Sequence, residues 1–467
     1  MRVLFAAAEL FPFAKTGGLA DIAHALPKAL SKSLEVTVAM PLYRFIDQER
    51  FGIEPTGRSV AFEMGGAPVR VALFRCIYEG VEHLFFYEER LCDVDAPYGP
   101  PYEANDIRFA VFCHALVALG RNERFDLIHL NDWHTALAAP LMKDRGLPSR
   151  VVYTIHNLAY QGIFPKSSLE RTGLAAYHFA PEDMEFYGQV NWMKGGIAHA
   201  DAVTTVSPSY AVEIQTTAFG CGLEGFIRKH AGKLKGILNG IDTDFYHPET
   251  DAALAAHYSP DRLEGKSLCK KAFLNEIDMK KYEDPLFIFI GRFVEQKGLD
   301  LLVEAVEAIA RRPMTLAILG EGEERWHTAL GEAAESAENI HLRFGYDENL
   351  SHRMYAAADF LLMPSRFEPC GLNQMIAMRY GTLPVVHRVG GLRDTVHESG
   401  REWVCGMGYV FDDATPDALV DAIDRALALY DRPASMDKMK RFDMRCDFSI
   451  ERCAKAYEAL YRGLVRR

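Results

Sequence analysis

The stretch KTGGLADIAHALPKAL places a lysine, Lys15, and two glycines, Gly17 and Gly18, directly before an amphipathic helical pattern. The first amides of a helix have no partner within the helix, and the helix dipole is positive at that end. Glycines allow a ligand to approach the backbone closely, and Lys15 adds a full positive charge. The stretch therefore predicts a site for a phosphate or another polar, anionic group. A glycine turn with a solvated lysine is the alternative, because it would have the same sequence pattern.

A second pair of cations lies in the stretch FIFIGRFVEQKGLDLLVEAV. A predicted strand ends at Gly291 and a predicted helix begins near Leu299, so that Arg292 and Lys297 fall in the loop between them. Two cations at such a crossing can bind a diphosphate and neutralise the charge that builds up on a departing phosphate. Two solvated surface cations are the alternative, but the matching position in the second half of the chain favours a functional role.

Glu368 follows a predicted strand that ends at Met363, and it precedes Gly371, where a helix is predicted to begin. A carboxylate in this position can accept hydrogen bonds from sugar hydroxyl groups, and the amides after Gly371 can contact sugar or phosphate oxygens. A helix-capping acid is the alternative for Glu368, because acids are favoured in the first turn of a helix. Cys370 alone indicates no chemistry, and we interpret it as a small residue packed in the protein interior.

Polar residues also follow two predicted strands of the first half. Asn131, Asp132 and His134 come after DLIHL, and His156 and Asn157 come after VVYTI. Ligands of parallel sheets bind beyond the carboxyl ends of the strands, so two such clusters predict a site at the rim of one sheet. The sequence contains no H-E-x-x-H motif, no Cys/His ligand spacing and no G-x-S-x-G elbow, and we therefore expect no metal ion and no cofactor.

Short apolar runs alternate with helical patterns through most of the chain, which predicts parallel sheets with helices on both faces. The runs of the first half are RVLFAAA, VTVAM, DLIHL, VVYTI, AVTTV and LKGIL. Residues 69–87 break the alternation with two β-rich runs around YEG, which predicts a hairpin. The alternation resumes near residue 285 with PLFIFIG, LAILG, HLRFG, DFLLMP and LPVVH.

The polar, turn-rich segment that begins at Asn239 predicts a domain boundary. We expect an α/β fold in which two Rossmann-like parallel-sheet domains, 1–240 and 241–445, face a deep cleft. Residues 446–467 are predicted to form a C-terminal helix that could pack on the first domain.

Composition limits the possible partners. The formal net charge of −12 argues against a nucleic-acid partner, and no apolar run reaches the 18 residues that would suggest a membrane span. The nine cysteines are odd in number and show no C-x-x-C spacing, which favours free thiols in a reducing compartment. No leader is visible before the first strand, so we expect a cytoplasmic bacterial protein rather than a plastid one.

The motifs occur together in an order that resembles the bacterial glycogen synthase and plant starch synthase family. They are KTGGLAD, NDWHT, TIHNLAYQG, ILNGID, GRFVEQKGLDLL, SRFEPCGLNQM, YGTLPVV and GGLRDTV. The resemblance extends from about residue 1 to about residue 400. It implies the GT-B fold and transfer of glucose from a nucleotide sugar to the non-reducing end of an α-1,4-glucan, with retention at the anomeric carbon and no metal. It also implies that domain 1–240 is the acceptor side and domain 241–445 the nucleotide-sugar donor side.

The resemblance also implies roles for individual residues. Lys15 and Gly18 would contact the distal phosphate and the sugar of the donor, and His156 would lie near the 6-hydroxyl of the glucose. The residues implied in catalysis are Glu368, Asp132, His156, Lys297 and Arg292. The residues implied in substrate or donor binding are Lys15, Gly17, Gly18, Asn157, Asn239, His352, Cys370, Gly371 and Leu372.

Three positions depart from the pattern of related enzymes. Many retaining GT-B enzymes have a second glutamate eight residues after the first, where this chain has Ile376, but the family commonly lacks it. Asn373 replaces a frequent threonine. His387 replaces a frequent arginine, which puts donor affinity or nucleotide choice in doubt.

The leading hypothesis is a glycogen synthase that uses ADP-glucose as donor and glycogen or another α-1,4-glucan as acceptor. Another retaining GT-B transferase, which would use UDP-glucose or resemble sucrose synthase, is an alternative, and a non-catalytic glucan-binding protein is a second. A Rossmann oxidoreductase would need G-x-G-x-x-G after a strand with an acid about 20 residues later, and the sequence has no such pair.

Overall fold

The computed structural model of the chain describes residues 1–99, 102–335, 337–398 and 403–466. Arg467, the last residue of the predicted terminal segment, lies outside them. The chain divides into two compact units. The first unit contains Met1–Asn239 and the segment from Ile450, and the second contains Gly240–Ser449.

The first unit is built on one large mixed sheet. Its strands are β1 (Arg2–Ala6), β2 (Glu35–Pro41), β3 (Glu54–Met64), β4 (Ala67–Tyr78), β5 (Val81–Tyr87), β6 (Leu127–Asn131), β7 (Arg150–Ile155), β11 (Ala202–Thr205) and β12 (Leu234–Gly236). A small separate sheet contains β8 (Ile163–Pro165), β9 (Glu185–Phe186) and β10 (Gln189–Asn191). The order in the large sheet is β12-β11-β7-β6-β1-β2-β5-β4-β3.

The strands from β12 to β5 run parallel, and β4 and β3 are added antiparallel at one edge. The predicted hairpin is confirmed, because β4 and β5 pair up to Tyr78 and Val81 and leave Glu79 and Gly80 as a two-residue turn. Both turn residues have positive φ, of 45° and 80°, as a type I′ turn requires. Strand β3 was not predicted, because its sequence EPTGRSVAFEM is largely polar and exposed.

Helices cover this sheet. They are α1 (Gly18–Leu30), α2 (Glu89–Cys92), α3 (Asn105–Asn122), α4 (Trp133–Ala136), α5 (Ala138–Asp144), α6 (Ser168–Arg171), α7 (Trp192–His199), α8 (Pro208–Glu213) and α9 (Glu224–Lys229). Short 3₁₀ helices in the chain span Tyr102–Ala104, Ala176–His178, Ala231–Lys233 and Glu295–Lys297. Helix α1 begins where the predicted apolar spacing starts, and it buries Leu19, Ile22 and Leu26.

The second unit is built on a parallel sheet. Its strands are β13 (Leu286–Phe293), β14 (Thr315–Gly322), β15 (Ile340–Phe344), β16 (Phe360–Met363), β17 (Leu383–His387), β18 (His397–Glu398) and β19 (Met407–Phe411), in the order β15-β14-β13-β16-β17-β19-β18. The connecting helices are α10 (Glu264–Glu276), α11 (Leu299–Glu304), α12 (Val306–Ala310), α13 (Glu324–Glu335), α14 (Glu348–Ala357), α15 (Asn373–Arg379), α16 (Gly390–Thr395), α17 (Pro416–Tyr430) and α18 (Pro433–Asp443).

Both faces of the second sheet are apolar, as its near-continuous hydrophobic strands require. Phe287, Phe360 and Leu362 are fully buried in the core formed with the helices. The carboxyl ends of β13, β16 and β17 meet at one edge, where Arg292, Lys297, Glu368 and the turn at residues 370–372 lie, whereas the predicted residue His352 lies elsewhere, in α14.

The chain ends in helix α19 (Ile450–Val465), which belongs to the first unit. The hydroxyl of Tyr461 lies 2.6 Å from Nδ1 of His129 on β6, and Ser33 donates to Glu458 over 2.8 Å. The buried tyrosine and the surface contact hold the helix on the first unit. Within the described ranges, no helix combines the length and the apolar character needed to span a membrane.

Candidate active site

Lys297 and Glu368 form an ion pair beyond the ends of β13 and β16 in the second unit. Nζ of Lys297 lies 2.6 Å from Oε2 of Glu368, and the hydroxyl of Ser365 donates to the same oxygen over 2.9 Å. The side chain of Glu368 is 6% exposed and that of Lys297 is 18% exposed. Charge-assisted hydrogen bonds of this kind are strong and directional, so the carboxylate is held in one orientation.

A glycine permits the close approach of the two loops. Gly298 follows Lys297 with φ of 68°, and a Cβ atom there would lie only 2.0 Å from the carbonyl oxygen of Pro364. The amide of Arg366 also donates to the carbonyl of Gln296 over 2.9 Å. The two loops are therefore locked together, and any larger residue at 298 would push Lys297 away from Glu368.

Arg292 lies within β13 rather than in the loop after it, because the strand continues through its pairing with β14 to Phe293 and does not end at Gly291 as predicted; its side chain is exposed. Among the residues that the structure describes, no ion pair includes its guanidinium. A free, solvated guanidinium can form a bidentate contact with a phosphate without first breaking an internal pair.

The segment after Glu368 is fixed by its own hydrogen bonds. The amide of Gly391 donates to the carbonyl of Glu368 over 3.0 Å, and the side-chain amide of Gln374 donates to the carbonyls of Cys370 and Gly371. Gly371 has φ of 72°, which favours glycine. The helix predicted to begin at Gly371 begins two residues later, after Leu372, because these residues form the turn before α15.

Asn373 and His387, which depart from the pattern of related enzymes, form hydrogen bonds within the protein at this edge of the sheet. Nδ2 of Asn373 donates to the carbonyl of Ile290 over 2.7 Å. The ring nitrogens of His387 face two backbone carbonyls, with Nδ1 2.7 Å from that of Ser365 and Nε2 3.2 Å from that of Asp412. His387 therefore supports Ser365, which in turn contacts Glu368.

His352 lies in a different cluster of the second unit. Its Nδ1 is 2.7 Å from Oδ2 of Asp251, its Nε2 is 3.5 Å from Glu348, and its ring stacks on Tyr246 with the centroids 5.0 Å apart. Burial lowers the pKa of His352, but the hydrogen bonds and charges of the two carboxylates outweigh burial and raise it to about 9. His352 is thus an imidazolium that ties α14 to the segment around Asp251. Its role near a nucleotide stays a prediction.

In the first unit, Asp132, His156 and Asn157 lie together at the ends of β6 and β7. Oδ1 of Asp132 accepts hydrogen bonds from the amides of His156, over 2.8 Å, and Asn157, over 3.4 Å. Asp132 has φ of 56°, an uncommon conformation for a residue with a side chain and one that occurs often at functional sites. Burial raises the pKa of its carboxyl to about 7, against the opposing effect of the two amides.

Asn131 fixes the orientation of His156. Its Nδ2 donates to the carbonyl of Ala6 over 2.9 Å, so its Oδ1 accepts from Nε2 of His156, also over 2.9 Å. The proton of the neutral ring then lies on Nε2, and Nδ1 keeps its lone pair. Burial lowers the pKa of His156 to about 3, so the ring is neutral at physiological pH.

The loop before α1 is held by two acidic residues. Nζ of Lys15 lies 2.8 Å from Oδ1 of Asp21, and Oε2 of Glu9 accepts hydrogen bonds from the amides of Thr16, over 2.6 Å, and Gly17, over 3.1 Å. Gly17 is extended, with φ of −163°, and open space surrounds the position of a Cβ atom there. Two amides of the loop are thus already bonded to Glu9.

Asn239 and His134 are the other predicted polar residues of the first unit. Asn239 is 6% exposed, and its Oδ1 has no hydrogen-bond partner among the described residues. His134 is buried and stacks on Tyr98 with the centroids 4.5 Å apart. Its contacts are those of a packed core residue.

One group of metal-type ligands lies elsewhere in the first unit. His178, Asp183 and His199 offer ligand atoms within 4.8 Å of one another. The oxygens of Asp183 are 2.6 Å from Nδ1 of His178 and 2.9 Å from Nε2 of His199, which are hydrogen-bond distances. Asp183 thus bridges the two histidines, Nε2 of His178 lies 2.9 Å from Asp144, and Nδ1 of His199 has no hydrogen-bond partner among the described residues.

Known proteins match this chain over its whole length. The family described as "Starch synthase catalytic domain" matches residues 2–229, and "Glycosyl transferases group 1" matches residues 272–442. A glycogen synthase from Anaeromyxobacter sp. strain Fw109-5 is 45% identical over 100% of both chains, and one from Anaeromyxobacter dehalogenans strain 2CP-C is 43% identical over 100% of both. The chain belongs to the starch synthase and glycogen synthase family of glycosyltransferases.

Solved structures agree with this family. The catalytic domain of starch synthase IV from Arabidopsis thaliana, bound to ADP and acarbose, is similar with a TM-score of 0.93 and 33% identity, over 100% of this chain and 99% of that one. Sucrose-phosphate synthase from Thermosynechococcus elongatus has a TM-score of 0.64 at 18% identity, over 99% and 98%, which concerns the fold alone. The predicted family and the predicted α/β GT-B fold with two Rossmann-like domains are confirmed.

Sequence reasoning missed several residues that contact the predicted site residues of this glycosyltransferase, among them Glu9, Tyr98 and Ser365. Glu9 binds the loop of Lys15, Tyr98 stacks on His134, and Ser365 binds Glu368. A weak signal existed for Glu9, the acid that closes the apolar run of the first strand. Ser365 opens the SRFEPCGLNQM motif that contains Glu368, and this position was a signal that the prediction did not use. Tyr98 is recognised only by what the fold places beside it.

Proposed function

We propose that the protein is a bacterial, cytoplasmic glycogen synthase that transfers glucose from ADP-glucose to the non-reducing end of an α-1,4-glucan. The anomeric configuration is retained and no metal ion takes part. The observation that carries this proposal is the largely buried Lys297–Glu368 pair, held by Ser365 and Gly298, which joins the motifs GRFVEQKGLDLL and SRFEPCGLNQM. The full-length identity to glycogen synthases and the ADP-bound starch synthase structure support the choice of reaction and of nucleotide.

In the proposed reaction, the bond between the anomeric carbon and the diphosphate oxygen breaks. A bond forms on the same face to a hydroxyl oxygen of the glucan, and the hydroxyl proton passes to the released diphosphate. The leaving group gains negative charge in the transition state, and groups that bind it more tightly at that stage lower the barrier.

Lys297 and Arg292 are proposed to bind this diphosphate. The exposed guanidinium of Arg292 can form two parallel hydrogen bonds to phosphate oxygens. Lys297 is partly neutralised by Glu368 in the free protein, so its three ammonium protons can be shared between the carboxylate and a phosphate oxygen.

Glu368 is proposed to orient the glucose of the donor. Its Oε2 is occupied by Lys297 and Ser365, whereas Oε1 can accept hydrogen bonds from sugar hydroxyl groups. The turn that contains Cys370, Gly371 and Leu372 presents backbone amides at the start of α15, and these amides are proposed to contact sugar or phosphate oxygens.

The first unit is proposed to contribute neutral polar groups and one cation. His156, which is neutral, would bind the 6-hydroxyl of the glucose through the lone pair on Nδ1, with Asp132 and Asn157 beside it. Lys15, with the amides at the start of α1, would act on the distal phosphate. The buried carboxamide of Asn239 and the cluster of His352 remain proposed as donor-binding groups.

The decisive experiment measures incorporation of labelled glucose into glycogen from ADP-glucose and UDP-glucose in parallel, with fructose as a second acceptor. Glucan growth from ADP-glucose, with α-1,4 linkages found by nuclear magnetic resonance of the product, supports the proposal. Preference for UDP-glucose or transfer to fructose would replace it with another GT-B activity. Binding of glycogen without turnover from either donor would indicate a glucan-binding protein.

A further inference from the structure

Glu9 lies just beyond the end of β1, and its carboxylate accepts hydrogen bonds from three donors. Oε2 accepts from the amides of Thr16, over 2.6 Å, and Gly17, over 3.1 Å, and Oε1 accepts from the hydroxyl of Tyr98 over 2.6 Å. Glu9 is 4% exposed. A buried carboxyl group is stable only when hydrogen-bond partners surround it, and these three donors engage both oxygens of Glu9.

These bonds shape the loop that connects β1 to α1. Within the loop, Leu10 and Ala14 exchange two backbone hydrogen bonds of 2.9 Å, and the amide of Phe11 donates to the carbonyl of Ala20 over 3.1 Å. These contacts hold the first part of the loop. The second part, which contains Thr16 and Gly17, is bound to the sheet through Glu9.

The position of this second part matters because it joins two elements of the proposed site. Lys15 directly precedes Thr16, and α1 begins at Gly18, directly after Gly17. The two amides bonded to Glu9 are therefore those of the only residues between the lysine and the helix. Loss of the bonds would leave both the ammonium and the helix amides free to shift together.

We propose that Glu9 is a positioning residue for glucosyl transfer, whose carboxylate fixes the 15–18 segment so that Lys15 and the first amides of α1 act on the donor. Glu9 takes no part in the chemical step. This inference rests on the proposed function. A displacement of about 1 Å at a positioned group can cost about 100-fold in rate, which sets the expected size of the effect.

Two substitutions of Glu9 distinguish a positioning role, which needs only the hydrogen bonds, from a direct role of the carboxylate. In Glu9→Gln the amide oxygen can still accept from Thr16 and Gly17, and the new NH₂ group can donate to Tyr98, whose hydroxyl can turn to accept. The geometry is kept and the charge is lost. In Glu9→Ala both are lost.

The experiment compares steady-state kinetics of Glu9→Ala, Glu9→Gln and Lys15→Ala, alone and combined, with ADP-glucose varied at fixed glycogen. We expect Glu9→Ala to lower kcat by about 10- to 100-fold and Glu9→Gln to stay within about 3-fold of the wild type. In the Lys15→Ala background, Glu9→Ala should lower kcat by a smaller factor than in the wild type, because the part of its effect that acts through Lys15 is already lost and only the part that acts through the amides of α1 remains. Glu82→Ala, which removes a carboxylate bonded to Thr37 on the same sheet, is the matched control.

A result in which Glu9→Gln is as inactive as Glu9→Ala, or in which the Glu9 and Lys15 effects multiply, would overturn the inference. Hydrogen–deuterium exchange of the peptide around residues 13–20 gives a second readout that does not depend on activity. We expect faster exchange at Thr16 and Gly17 in Glu9→Ala and wild-type exchange in Glu9→Gln. If the wild type makes no glucan from ADP-glucose, the proposed function fails, and unchanged exchange in Glu9→Ala then overturns the positioning role separately.

Discussion

The ammonium of Lys297 and the carboxylate of Glu368 lie 2.6 Å apart, and both are largely buried in the second unit. Removal of one partner from such a pair leaves an uncompensated charge, which commonly costs about 3–5 kcal/mol in a protein interior. Variants at either position therefore change stability as well as activity, and each activity measurement needs a parallel measurement of folding.

Glu368→Ala is expected to keep the fold and to remove most glucan synthesis, because Glu368 is proposed to orient the donor sugar. Loss of one preorganised polar contact typically lowers kcat by about 100- to 1,000-fold. Initial rates of labelled-glucose incorporation, with circular dichroism as the folding check, measure the effect. Glu307→Ala, which breaks an exposed pair with Arg311, serves as control. A folded Glu368→Ala protein with near-wild-type turnover would remove the assignment.

Lys15→Ala and Lys297→Ala are expected to differ in their kinetic signatures. Lys15→Ala should lower turnover, by a factor that corresponds to about 2–4 kcal/mol, whereas Lys297→Ala should lower both turnover and donor affinity. Steady-state kinetics with varied ADP-glucose at fixed glycogen separate kcat from KM. Lys32→Ala, which removes an exposed lysine paired with Glu451, is the control. Full turnover in Lys15→Ala with only a lower melting temperature would make Lys15 a structural residue.

The sequence predicted those features that depend on local pattern. The start of α1 at Gly18 and the hairpin around Glu79 follow from apolar spacing and turn residues, which act over a few positions. The buried strands β13 and β16 and the helices between them were predictable for the same reason, because their apolar runs alternate with helical patterns. Strand β3 was not, because it lies at the edge of the sheet, where polar residues are tolerated.

Features that depend on tertiary contact could not be predicted. Asp251 and His352 are 101 positions apart in the chain, and no pattern in either segment indicates that they meet. The substitution of His387 for a frequent arginine suggested altered donor binding, yet both of its ring nitrogens face backbone carbonyls in this structure. The effect of His387 on the nucleotide therefore stays a prediction.

Asp132 is expected to make stability fall as the pH rises from about 4 to about 7. Its carboxyl has a pKa of about 7 in the folded protein and about 4 in an unfolded chain, so the folded state binds the proton more tightly. The resulting stabilisation is complete below the unfolded pKa and is lost as the pH passes through the folded one. Over this range, Asp132→Asn should gain up to about 4 kcal/mol relative to the wild type.

Chemical unfolding of both proteins at pH 5 and pH 8 tests this expectation. The unfolding free energy of Asp132→Asn minus that of the wild type should be more positive at pH 8 than at pH 5. An equal difference at the two pH values would mean that the carboxyl titrates in its ordinary range despite its burial.

His352 should show a second loss of stability at higher pH. Its pKa of about 9 in the folded protein lies above the value of about 6.5 expected in an unfolded chain, because Asp251 and Glu348 favour the imidazolium. The stabilisation is therefore complete below about pH 6.5 and disappears as the pH rises through about 9. The pKa of Asp251 is held below its ordinary range by His352 and Tyr380, although burial opposes them, so this carboxylate stays charged throughout the window.

His352→Ala leaves the buried carboxylate of Asp251 without its imidazolium, and we expect a cost of about 3 kcal/mol at pH 6. The cost should shrink towards pH 10, because the wild-type ring is then neutral and no longer compensates the charge. Melting temperatures of the two proteins at pH 6, 8 and 10 measure this trend, and Asp251→Asn should show the same convergence. A melting-temperature difference that is independent of pH would show that His352 stabilises the second unit by packing on Tyr246 alone, with no contribution from its charge.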